Sequence, residues 1–104
     1  MIHERIRPFN TRENYPEQDL DNDLCQAVVA RGTWVFLRGQ VAQDLETRES
    51  LHSGDASAQT AKAMENIQML LHESGSELGH ICRIVVYLTD IRYRDAVYQE
   101  MGKW

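Results

Sequence analysis

Arg31-Gly32-Thr33-Trp34-Val35-Phe36-Leu37-Arg38-Gly39-Gln40 reads as a strand that ends in a Gly-Gln turn. Gln59-Thr60-Ala61-Lys62-Ala63-Met64-Glu65-Asn66-Ile67, further along, reads as an amphipathic helix. Ala61, Met64, Ile67 and Leu71 recur at spacings of three and four, with Ala63 and Leu70 widening the stripe. Lys62, Glu65, Gln68 and Glu73 take the opposite face. Asp55 or Ser57 can cap the helix, because a short oxygen side chain accepts a bond from a free first-turn N–H. Gly75 stands where a left-handed C-terminal cap is expected.

Upstream, Cys25-Gln26-Ala27-Val28-Val29-Ala30 is a second β-favouring run, joined to residues 33–37 by Arg31-Gly32. Two such runs with a two-residue, Gly-containing link predict a hairpin. Ile2, Arg5, Ile6 and Phe9 give a weak strand signal that ends near Pro8, and residues 10–23 read as a polar loop. Residues 41–57 read as a surface loop, long enough to be functional or mobile. Downstream, residues 84–88 are apolar almost without interruption. That predicts a strand buried on both faces, or on one face with a neighbouring chain over the other. Asp90 then caps a second helix carrying Val97, Met101 and Trp104 at helical spacing, still running at Trp104. The order β-β-β-α-β-α leaves the apolar face of that second helix without an obvious partner.

The chain has 104 residues, the size of one domain over 1–104 that buries about two thirds of its unfolded surface. Apolar content of 42% and charged content of 26% suit a globular protein. A net charge of −5 without any Lys/Arg cluster offers no footprint for nucleic acid or for an anionic membrane. No apolar run approaches the ~20 residues of a membrane span. The N-terminus lacks the basic start and apolar stretch of a signal peptide. Cys25 and Cys82 have no CxxC spacing and suit a reducing cytoplasm.

Taken in order, Gly39-Gln40, the Gln59-Thr60 to Asn66-Ile67 helix, Gly75-Ser76-Glu77-Leu78 and Tyr87-Leu88-Thr89-Asp90 resemble the RidA (YjgF, L-PSP) family. The resemblance spans roughly residues 24–104. It implies a YjgF-like (chorismate-mutase-like) α+β fold, a mixed sheet packed on one side by two helices. It also implies a homotrimer around a sheet-lined centre, with ligand pockets between neighbouring subunits. Many members hydrolyse reactive imines: water attacks the C=N carbon of a 2-imino acid, and ammonia and a 2-keto acid leave. No cofactor is expected.

In that family an arginine grips the substrate carboxylate and a glutamate positions water, on two strands that follow the second helix. This sequence is expected to end before those strands, so no catalytic residue is carried over. At the family's pocket positions Leu24 stands where many members have tyrosine, Arg38 where serine is usual, and Tyr98 where asparagine is frequent. Gly39 keeps the family's residue. These four are the candidate ligand-binding residues, and the expected ligand is a small carboxylate. An arginine suits that ligand because its planar fork binds a carboxylate bidentately.

Each candidate has a plainer reading. Arg38 can be an exposed arginine closing a strand, and Gln40 and Asn66 read as hydrogen-bonding residues of a turn and a helix. Both cysteines sit among apolar residues and read as buried and inert. His3, His52, His72 and His80 have no HxH or HExxH spacing, so no metal site is expected. Three functions remain: an imine or enamine deaminase, a non-catalytic small-molecule-binding or regulatory relative, and a ribonuclease or translation inhibitor. Acidic charge and few aromatics make the last the weakest.

Overall fold

The computed structural model describes residues 3–104; Ile2, part of the first strand signal, lies outside them. The chain is α+β, with a two-stranded antiparallel sheet and two main helices. Strand β1 (His3–Asn10) pairs with β2 (Asp23–Ala30), from His3 opposite Ala30 to Asn10 opposite Asp23. The weak N-terminal signal is therefore a full strand. Pro8 is accommodated because β1 is an edge strand with no ladder on its outer side.

The connection between them is folded rather than open. It holds a helical turn α1 (Thr11–Asn14) and a 3₁₀ turn at Pro16–Gln18. Buried Thr11 donates its hydroxyl to the Leu20 carbonyl at 2.8 Å and accepts from the Asn22 N–H at 2.9 Å. The Asn10 side-chain amide donates to the carboxylates of Asp21 and Asp23. These bonds drive Leu20 into the core.

Helix α2 (Ala56–Glu73) begins at Asp55, whose carboxylate accepts from the Ala58 N–H at 3.0 Å, and it stops before Gly75 at φ +78°. Met64 and Leu71 of the expected stripe are buried, and Ala61, Ile67, Ala63 and Leu70 are half-buried. Asp90 accepts from the Arg92 N–H, and a 3₁₀ turn at Ile91–Tyr93 leads into helix α3 (Arg94–Met101), which packs on α2 through buried Val97. The apolar face of the second helix thus has a partner. Contrary to expectation, this helix ends at Met101. Its last turn tightens, with Gly102, Lys103 and Trp104 donating to Tyr98, Glu100 and Met101. Gly102 lies so close to the connection that a Cβ there would meet the Asp21 carbonyl oxygen at 2.5 Å.

Two expected strands do not form ladders. Residues 25–30 pair with β1 and not with residues 33–37. The reason lies in the link. The tight hairpin turns need positive φ at the first central residue, but Gly32 takes φ +106° while Arg31 does not enter that region. With only the second residue left-handed, the two runs splay apart. Residues 84–88 likewise have no neighbouring strand among the described residues, so this chain holds a two-stranded antiparallel sheet in place of the expected mixed one. Nor are they buried on both faces: Val85 and Tyr87 are exposed, whereas Val86 and Leu88 are half-buried.

Candidate functional site

The splayed segments frame a groove of about 630 Å³. One wall is formed by residues 30–40 and the other by residues 80–87, with Ile67 and Leu71 of α2 between them. Arg38 and Gly39 both line it. Arg38 is exposed and forms no ion pair among the described residues; its carbonyl accepts from the Gln40 side chain at 2.9 Å. Gly39 faces open space, with nothing within 4 Å of where a Cβ would stand.

Among the described residues no aspartate or glutamate lines the groove, whereas Arg31, Arg38 and Arg83 all do. The groove therefore attracts anions even though the chain is acidic. Its aromatic lining is exposed: Trp34 and Phe36 stack with centroids 6.4 Å apart, and Phe36 and Tyr87 are 88% and 91% accessible.

Leu24 and Tyr98 sit elsewhere. Leu24 pairs with Phe9 in the sheet. Tyr98 lies on α3 beneath the Arg94 guanidinium, 5.1 Å from the ring centre, and its carbonyl accepts from the Asn22 side chain at 3.1 Å. Of the four candidates, Arg38 and Gly39 line the groove and Leu24 and Tyr98 do not.

Ser76, His80 and Cys82 line the same groove and were not singled out as a group by spacing. Ser76 Oγ lies 3.1 Å from His80 Nδ1, and His80 Nε2 lies 3.7 Å from Glu77 Oε1. The Leu78–His80 3₁₀ turn brings them together, folding a five-residue stretch back on itself. The His80 imidazole is a group suited to accept and return a proton. Both cysteines are free and half-buried rather than buried, with Cys82 Sγ 3.5 Å from the His80 carbonyl. Among the described residues no group of three or more His, Cys, Asp and Glu is placed to hold a metal ion.

Beside the groove, the loop 41–57 is anchored rather than loose. Asn66, fully buried on α2, donates to the carbonyls of Val41 and Gln43. Asp44 accepts from the N–H groups of Thr47 and Glu46, which hold its carboxyl below the usual range, with Lys62 adding a smaller push in the same direction. Lys62, expected on the solvent face, is largely covered.

A family model described as Endoribonuclease L-PSP matches residues 19–104, most of the chain. The chain belongs to the L-PSP family. It is 40% identical over 80 residues to Protein DfrA of Myxococcus xanthus, covering 76% of this L-PSP chain and 60% of that relative. It is 38% identical over 60 residues to a RutC family protein of Pyrococcus abyssi, covering 58% of this chain and 46% of that one. A RutC family protein of Synechocystis is 28% identical over 79 residues, again 76% and 60% of the two chains. The matched stretch thus spans about half to three fifths of these curated relatives. No solved structure matches the chain. Among the described residues no helix is long and apolar enough to cross a membrane. The family is the one to which the RidA resemblance pointed.

Proposed function

We propose that this L-PSP protein takes part in hydrolytic deamination of small 2-imino or enamine acids, and that this chain's share is to bind the carboxylate at Arg38. The observation that carries the reading is a guanidinium that, among the described residues, has no ion-pair partner and lies on the wall of a groove lined by no acidic side chain. Arg38 and Gly39 line the groove whereas Leu24 and Tyr98 lie outside it, which suits a pocket completed between copies. A homotrimer in a reducing cytoplasm is the setting we propose, consistent with free Cys25 and Cys82.

A second reading is binding without turnover. It is favoured by the same absence of Asp and Glu from the groove, since a carboxylate is the usual group for orienting the attacking water. Two measurements test these readings. Binding of 2-ketobutyrate should be lost in Arg38→Ala and weakened in Arg38→Lys, which keeps the charge but not the fork. Charge-assisted bonds of this kind contribute roughly 1.5–3 kcal/mol, so the loss is about tenfold or greater. Ammonia release from 2-iminobutyrate generated in situ is expected to stay near background for this chain. Clear release that is unaffected by Arg38→Ala would sink both readings.

A further inference from the structure

The turn that closes α2 brings together three side chains that carboxylate binding does not use. Ser76 follows the left-handed Gly75, and its N–H donates to the Leu71 carbonyl at 2.7 Å. His80 is tied back to the same turn, its N–H donating to the Glu77 carbonyl at 3.0 Å. With both backbones held, Ser76 Oγ meets His80 Nδ1 at 3.1 Å, and Glu77 Oε1 lies 3.7 Å from His80 Nε2. A neutral imidazole carries one N–H. The Glu77 carboxylate favours that proton on Nε2, which leaves the Nδ1 lone pair to accept from the Ser76 hydroxyl. A hydroxyl, a base beside it and a third group that orients the base are the parts of an activated nucleophile. All of these contacts are made within residues 71–80.

We infer that Ser76 is a nucleophile for activated acyl groups, with His80 as its base and Glu77 as the residue that positions the imidazole. Ser76 and His80 are half-buried, so an acyl carbon can reach the hydroxyl. As Ser76 Oγ bonds to the carbonyl carbon of an ester, its proton passes to His80 Nδ1. The bond from that carbon to the leaving oxygen then breaks, and the alcohol departs with the proton from Nδ1. Water reverses the exchange: it gives a proton to Nδ1 as its oxygen attacks the acyl carbon, and the acid leaves as Ser76 Oγ takes that proton back. Aryl esters and thioesters are the fitting class, because their leaving groups depart with little help. The reaction uses neither Arg38 nor Gly39, so it stands apart from the proposed function.

The test uses the purified protein and 4-nitrophenyl acetate. Mixing should release a burst of 4-nitrophenolate, and peptide mass spectrometry after an acid quench should find the acetyl group on Ser76. Ser76→Ala should remove both signals. His80→Gln should slow acetylation about a hundredfold or more, the usual share of a positioned base. Glu77→Gln should lower kcat at unchanged KM, and Glu77→Asp should recover part of that loss, which a residue that merely braces the turn would not show. Mapping the acetyl group in the unaltered protein needs no variant to fold. Acetylation confined to lysines or to an imidazole would overturn the proposal. So would hydrolysis that survives Ser76→Ala, since it would mean that the imidazole acts on the ester alone. Absence of any burst and of any acetyl group on Ser76 would show that the hydroxyl only ties the turn, and would overturn it as well.

Discussion

Asn66 donates its side-chain amide to the carbonyl of Gln43 at 2.7 Å, and through this bond a wholly buried polar residue of α2 holds the loop beside the groove. The same nitrogen lies 3.2 Å from the Val41 carbonyl. Truncation leaves two partly buried acceptors without a donor, which costs about 1–3 kcal/mol. Asn66→Ala should therefore lower the melting temperature by several degrees. Amide exchange should accelerate across residues 41–50 while α2 stays helical by circular dichroism. An unchanged loop would show that the bridge between Gln43 and Ser50 suffices to hold it.

Gly102 offers a case where local propensity and packing disagree. Its φ of −61° is ordinary for any residue, and alanine is favoured over glycine in a helix by about 1 kcal/mol. The neighbouring Asp21 backbone reverses the sign, because an added methyl would press on its carbonyl. Overpacking against backbone typically costs 1–3 kcal/mol. Gly102→Ala should destabilise the protein in urea unfolding; a stabilised variant would show that the end of α3 moves freely away from the connection.

Two half-buried carboxylates should titrate low. Asp90 is held down first by the Arg92 side chain and then by the Arg92 N–H, and Asp44 by the N–H groups of Thr47 and Glu46. Each contributes stability that is fully present above the ordinary aspartate value of about 3.9 and is lost as pH falls through its lowered folded value. Carboxyl-resolved NMR titration should place both midpoints below that ordinary value. Midpoints at or above it would mean that these turns open in solution.

The proposed self-association would cover the exposed aromatic faces of Trp34, Phe36 and Tyr87. Closed symmetry is the usual way for a chain to cover such surface on itself, and three copies are expected here. Light scattering at micromolar concentration should report a trimer. A monomer with native circular dichroism would defeat that expectation.

Helix α2 was legible because cap, period and stop signal agree: Asp55, the Met64–Leu71 stripe and Gly75 all point to the same element. Asn66 and Thr60 were not read as buried, because a stripe counts apolar residues and overlooks an amide that finds carbonyls from another segment. The true partner of β2 was missed for a related reason. Arg31-Gly32 is a strong local cue, whereas His3–Asn10 is distant in sequence and brought near by Thr11, Leu20 and Asn22. The groove was not foreseen, because it brings together residues 30–40 and 80–87, which are far apart in sequence. Arg38 and Gly39, candidates by resemblance alone, line the groove, and Ser76 and His80 emerge only once the Leu78–His80 turn is seen.

The open walls of the groove also bear on how the protein behaves in a test tube. Apolar runs with free backbone edges are the segments from which insoluble cross-β assemblies start. Here they are guarded by Arg31, Arg38 and Arg83, while a net charge of −5 keeps whole molecules apart. The net repulsion vanishes near the isoelectric point of about 5.3, where the arginines stay charged, and concentrated salt screens both safeguards. Turbidity should therefore rise steeply with protein concentration near that pH, and storage well above it in modest salt is the condition under which the chain stays clear.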